Sequence, residues 1–470
     1  MSGSAPLVLS CNVRRVDDDL HFGHSLRLDA PKPEPPPSRL LNIVTRRAIG
    51  VNYPDDADEA LKALHFETRV ADAPALSDLT VRGEGVGYMA IAAADDRLIL
   101  LDWCFQQSQA VYLVYDAVEL SLTMIRSDPW SRLTPYQEGV RRETYAAISV
   151  LIARPPGGSY ALVKMAQTSI YIGYKNHQPA ERQDVLYVWR SSSRQWDLIR
   201  ASFPSQFKGP PSTVAHRYGA VLAFTCGGHA FWANLFRGVM YCRVDAMLSA
   251  QLPGGELKLD FISLPVDLDP HCPIACELEL RSEMYRTIGR SGESPIKFVT
   301  IDGFVQLLDF VDCTLKVWSL SPDEHMTTWS AERSLCLGSL AEQDEFKKAG
   351  VPADMVPMYP SLSAEEDDVV YLMLGEYKKC CREHKFSKNL CDGYFPHAKN
   401  PRYHLRIDMR RGVLLACAPL PHPISPRVCV TSTSVVPSSS IQRGATETDS
   451  RKIGGRTNSN RMKGRSVMYG

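Results

Sequence analysis

The chain has 470 residues, a formal charge of zero, 44% apolar residues and 23% charged residues, enough for two or three average domains or one large repeat array around a true core. No stretch approaches 18 uninterrupted apolar residues, which argues against a membrane-spanning helix. Residues 425–470 hold eight Lys or Arg and two Asp or Glu, a net +6 that leaves the body at −6, and an acidic body is a poor electrostatic match to nucleic acid.

In chain order, the N-terminus "MSGSAPLVLSCNVRRVDDDL" has a short apolar patch, no basic leader, and three consecutive acids at Asp17, Asp18 and Asp19. That pattern fits neither a secretory signal nor a transit peptide, so cytosol or nucleus is the expected address. Thirteen scattered cysteines in such a setting read as reduced thiols rather than a disulfide framework. "PKPEPPPS" (Pro31 to Ser38) is an extended, semi-rigid spacer. "DADEALKALHF" (Asp56 to Phe66) predicts a short helix with Leu61 and Leu64 on one face. "RGEGVGYM" has glycines at 83, 85 and 87 but not the spacing of a dinucleotide loop.

Strand signals then dominate. "AVYLVYDAVELSLTMI" (Ala110 to Ile125) breaks at Asp116 to Glu119, and "DVLYVWRSSSRQWDLI" (Asp184 to Ile199) turns between Trp189 and Trp196. "TLKVWSLSPDEHMTTWSAERSLCL" repeats that form with Trp318 and Trp329, and "DVVYLMLGEY" (Asp368 to Tyr377) follows the charged turn "EEDDVV". Runs of four to eight β-formers between polar turns read as antiparallel hairpins. The tryptophans at strand ends are expected to bury their rings between sheets. "LAEQDEFKKAG" (Leu340 to Gly350) predicts a second helix that stops at Gly350.

One phrase is written twice. "NLFRGVMYC" (Asn234 to Cys242) and "DMRRGVLLAC" (Asp408 to Cys417) share a polar residue, Arg-Gly and an apolar run ending in Cys. They read as equivalent hairpins of different repeats, Gly238 and Gly412 each supplying a φ > 0 turn residue. Gly227 and Gly228 in "GGHAFW" read as a tight strand entry. A repeated four-strand unit of roughly 40 to 50 residues marks a propeller blade; the alternative is a sandwich with two coincidental Arg-Gly hairpins. The expected fold is an all-β, antiparallel propeller-like array of about six blades with a few short helices. An N-terminal segment would occupy 1–38, the propeller-like domain 39–424, and a disordered basic tail 425–470.

These residues also resemble a known family. "VYLVYDAVELSLTMI", "GGHAFWANLFRGVMYCRVD", "FVTIDG", "DCTLKVWSL", "YPSLSAEEDDVVYLML" and "HLRIDMRRGVLLA" occur in the order seen in the plant group called domain of unknown function 1618. That group is similar to the β-propeller domains attached to F-box proteins. The resemblance implies a recognition surface on a propeller, and no F-box segment precedes the array in this sequence. It implies no catalytic residues.

The candidate chemistry is sparse. "KKCCREHKFSKNLCDGYFPH" gathers Cys380, Cys381, His384, Cys391 and His397. Thiolates and imidazoles are zinc ligands, and Cys381/His384 and Cys391/His397 have short spacings, though not those of a standard finger; free thiols and surface histidines are the competing reading. "HCPIACE" offers His271, Cys272, Cys276 and Glu277 as an incomplete set. No nucleophile elbow, phosphate loop or zinc-protease motif occurs. The expectation is therefore a non-catalytic protein-interaction module with an unknown protein partner, no cofactor, no nucleic acid and no membrane. The alternatives are a ubiquitin-ligase substrate receptor and a propeller-based hydrolase or lyase.

Overall fold

The computed structural model describes residues 7–10, 39–49, 56–69, 78–83, 89–95, 97–105, 109–127, 140–155, 158–172, 181–207, 220–250, 256–265, 282–291, 296–304, 309–320, 328–352, 354–363, 365–378, 397–420, 430–433 and 441–442. Five consecutive stretches each form a four-stranded antiparallel meander. Blade 1 comprises Met89–Ala94, Leu98–Phe105, Gln109–Asp116 and Ser121–Arg126. Blade 2 comprises Val140–Ala153, Ala161–Ile172, Glu181–Arg190 and Gln195–Ser202. Blade 3 comprises Leu222–Cys226, His229–Asn234, Gly238–Arg243 and Asp260–Ser263. Blade 4 comprises Arg286–Arg290, Ile296–Asp302, Thr314–Leu320 and Trp329–Cys336. Blade 5 comprises Val356–Leu362, Val369–Lys378, His397–Asp408 and Val413–Pro419.

The first strand of each blade packs on the first strand of the next, which sets the five in a propeller. A sixth sheet differs from the others. Its order is Ile441–Gln442, Arg39–Leu41, His65–Arg69, Asp78–Arg82, so strands from the two ends of the chain share it. A ribbon of Leu7–Ser10 and Val430–Thr433 touches the sixth sheet on one side and blade 5 on the other. These two C-terminal strands fall inside the expected tail; its remaining residues lie outside the described ones.

Each seam between neighbours carries its own apolar cluster. Leu100, Tyr112, Ile125 and Leu162 fill the seam of blades 1 and 2. Phe231, Ile288 and Phe298 fill that of blades 3 and 4, and Val299, Leu315, Met358 and Leu405 that of blades 4 and 5. A middle strand is therefore covered on both faces. That is why "VYLVY", "VLYVW" and "VYLML" are apolar without alternation, all their residues being buried.

Both expected helices form. Asp56–Ala63 buries Leu61, with Leu64 following it. Arg46 donates to the carbonyls of Leu61 and Leu64 at 2.7 and 2.8 Å, a cation on the negative end of the helix. The second helix is split into Gly338–Ala341 and Asp344–Lys348, and Gly350 ends it at φ +63°. Among the described residues, two strands depart from the antiparallel rule. Thr45–Ile49 adds in parallel to the outer strand of blade 1, and Leu257–Lys258 adds in parallel to that of blade 2.

The twin phrases are not equivalent hairpins. Asn234 to Gly238 joins the second and third strands of blade 3, whereas Asp408 to Gly412 joins the third and fourth strands of blade 5. The shared wording encodes a local device instead. Asn234 Oδ1 accepts the Phe236 and Arg237 amides at 2.9 Å, and Asp408 Oδ1 accepts the Arg411 amide at 2.9 Å. Gly412 sits at φ +64° as expected. Gly238 also has positive φ, at +156°, and is needed for space as well, because a Cβ there would overlap the Ile262 carbonyl and the Phe261 ring. Gly227 and Gly228, at φ +55° and +77°, make the tight turn read from "GGHAFW".

Candidate functional site

The turns after the first and third strands of each blade lie at one end of the ring, and two groups of ion pairs sit there, at the junctions of blades 1 and 2 and of blades 4 and 5. At blade 1, Asp116 ends the third strand, and its Oδ1 accepts the Val118 and Glu119 amides at 3.0 Å. Arg97, from the turn after the first strand, holds the same carboxylate from Nε at 2.8 Å and from Nη2 at 2.6 Å. Asp116 in turn keeps the guanidinium pKa above its ordinary value. Arg97 also reaches the Gly158 carbonyl of blade 2 at 3.3 Å, while Arg154 of blade 2 returns to Asp95 of blade 1. A pocket of about 140 Å³ lined by Arg97, Arg154, Pro155, Gly158, Ser159 and Tyr160 lies over this junction. It is smaller than the roughly 300–1,000 Å³ of small-molecule sites.

The same turn carries an apolar feature. The Val44 amide donates to the Leu120 carbonyl at 2.8 Å, which sets Val44 beside the turn that carries Val118. Both valines are exposed, at 71% and 64%. Leu120 closes the turn at φ +50°, a left-handed conformation that costs a non-glycine residue about 1 kcal/mol.

At the seam of blades 4 and 5, Lys297 is buried on the second strand of blade 4 and pairs with Asp368 of blade 5 and, at 3.5 Å, with Glu332. Arg406 pairs with Glu366 on the neighbouring turn. Tyr371 and His404, both buried, stack at 5.3 Å and 13°. Burial pushes the Tyr371 hydroxyl up, with Arg406 opposing. "EEDDVV" is thus the charged turn expected, with Glu366 and Asp368 engaged as clamps. One seam away, buried Arg286 donates to the Leu235 carbonyl of blade 3 at 2.9 Å and lies against the Tyr285 and Phe298 rings; desolvation lowers its pKa.

Of the expected metal ligands, Cys380, Cys381, His384 and Cys391 lie outside the described residues, and His397 is placed by its backbone alone, opposite Lys378. His271, Cys272, Cys276 and Glu277 also lie outside them, as does most of "RGEGVGYM". Among the described residues no three His, Cys, Asp or Glu converge on a metal position. No described helix is long and apolar enough to cross a membrane. Sequence reading missed the clamps because their partners lie far apart in the chain: 59 residues for Arg154 and Asp95, 71 for Lys297 and Asp368.

Residues 232–371 match the family model described as protein of unknown function, DUF1618. Over this stretch the chain is similar to the DUF1618 family. The match runs from Trp232 in blade 3 through all of blade 4 to Tyr371 in blade 5. The matched segment therefore contains Arg286, Lys297 and Asp368, residues that join blades 3, 4 and 5. No curated protein matches the chain.

Proposed function

We propose that this propeller is a non-catalytic protein-interaction module, acting in the cytosol or nucleus, whose rim turns bind a protein partner. The observation that supports it best is the Val44–Val118 pair: two exposed valines, Val118 on a turn already held by Asp116, Arg97 and Leu120 and Val44 beside that turn. A preformed turn binds with little further ordering cost. An apolar centre flanked by Arg97 and Glu119 has the pattern of an interface core with a polar rim. The matching partner surface would offer an apolar side chain ringed by hydrogen-bonding groups.

Affinity purification from native tissue with quantitative mass spectrometry tests this, using the wild-type chain and the Val44→Glu/Val118→Glu variant. A stoichiometric protein should accompany the wild type and leave the variant, with the unfolding midpoint unchanged. Absence of any stoichiometric partner, or a partner indifferent to both substitutions, would reject the reading.

A further inference from the structure

The outer strands of the five blades are treated differently. That of blade 1 is covered by Thr45–Ile49 and that of blade 2 by Leu257–Lys258. In blade 5 the helix Asp344–Lys348 lies against the outer strand, with Gln343 bonded to Gly412 and Leu414. The outer strand of blade 3 has only four residues. Blade 4 ends on Trp329–Cys336, eight residues long and exposed from Ser330 to Ser334. Long exposed edges invite another strand, and proteins blunt them with bulges and charges.

This edge has both, and they select what fits. The register steps from Trp318↔Ala331 to Val317↔Arg333, so Glu332 is an extra, bulged residue. Arg333 stands opposite Val317, which faces blade 5, and Glu332 reaches Lys297 on that same side. Ser330 and Leu335 share the blade 5 side; Trp329, Ala331, Ser334 and Cys336 take the other. A regular strand laid along this edge would fall out of phase at the bulge. A second copy, running antiparallel, would not. It sets Glu332 opposite Arg333, Ala331 opposite Ser334, Ser330 opposite Leu335 and Trp329 opposite Cys336, and every pair shares a face. The two-fold axis generates the Glu332–Arg333 pair twice with opposite charges facing each other.

We infer that the outer strand of blade 4 is the interface of a symmetric dimer, pairing with the same strand of a second copy. Sedimentation velocity of the full chain over a concentration series should show a reversible monomer–dimer equilibrium. Arg333→Glu places like charges opposite each other twice and should weaken association about tenfold or more, with an unchanged unfolding midpoint. Oxidation of Ala331→Cys/Ser334→Cys should give a covalent dimer, and neither single variant should add one beyond the wild-type background. A chain that stays monomeric at high micromolar concentration overturns the inference. So does a dimer that ignores Arg333→Glu, or one that the double-cysteine variant fails to cross-link.

Discussion

Trp329 in the outer strand of blade 4 donates its indole N–H to the carbonyl of Ser263, the last residue of the outer strand of blade 3, at 2.8 Å. Trp196 repeats the arrangement in blade 2, donating to Arg126, the last residue of the outer strand of blade 1, at 3.0 Å. The apolar clusters bury the inner parts of the seams, and these indoles fasten them at the rim. Replacing each by Phe keeps most of the ring and removes the donor. A hydrogen bond of this kind contributes about 1 kcal/mol net. Trp196→Phe, at the less accessible bond, should lower stability by about that amount in urea titration, and Trp329→Phe by less because water replaces the lost donor. Equal effects, or none at Trp196, would show that the outer strands are not fastened this way.

Lys297 has a side chain only 4% exposed, and its partner Asp368 is 25% exposed. Removing the Asp368 carboxylate leaves a buried cation with only the longer contact to Glu332 at 3.5 Å, whereas removing the cation leaves a carboxylate that water can reach. Asp368 also holds φ +62°, which asparagine tolerates well, so Asp368→Asn changes charge without changing backbone preference. Asp368→Asn should cost about 1–3 kcal/mol and Lys297→Met, which keeps the stem, about 1 kcal/mol or less. The double variant should be more stable than Asp368→Asn alone. A strictly additive cycle would mean that the two groups do not interact.

Gly238 tests the close approach of strands in blade 3. A methyl group there would meet the Ile262 carbonyl and the ring of Phe261 in the adjoining outer strand. Gly238→Ala should therefore destabilise by about 2 kcal/mol or more. Gly158 has φ +84° but open space around its missing side chain, so Gly158→Ala should cost only about 1 kcal/mol. The comparison separates crowding from backbone preference, and similar losses at both positions would assign the Gly238 requirement to φ alone.

The hairpins were legible because a strand covered on both faces must be apolar along its length, and "VYLVY" and "VYLML" report that directly. The pairing of Trp189 with Trp196 was legible for a related reason: one tryptophan closes a strand and the other opens the next across a short polar turn. The twin Arg-Gly phrases misled because an Asx side chain followed by glycine specifies a turn, not its place in a blade. Leu120 and Arg194, at φ +50° and +56°, fill the equivalent turn position in blades 1 and 2 without glycine, which hides the repeat further. The seam clamps left no trace in spacing. Arg154, Asp95, Lys297 and Asp368 are ordinary surface-type residues until the ring brings their blades together. The edge of blade 4 was equally silent, since the bulge at Glu332 exists only in the register with Thr314–Leu320.

The buried thiols give the protein an alkaline limit. Burial pushes Cys242 and Cys313 up to about 12 from an ordinary 9.0, with nearby carboxylates adding to the shift. In the folded chain both stay protonated through pH 9–11, whereas in the unfolded chain they lose their protons as pH passes about 9. The unfolded state therefore binds fewer protons in that window, and stability falls as pH rises. The slope is about 1.4 kcal/mol per pH unit for each thiol. Below pH 8 neither thiol contributes any pH dependence. Urea midpoints measured from pH 8 to 10.5 should decline accordingly, and Cys313→Ala should flatten the decline even though it lowers the starting stability. An unchanged slope in that variant would show that Cys313 is not a source of the alkaline loss.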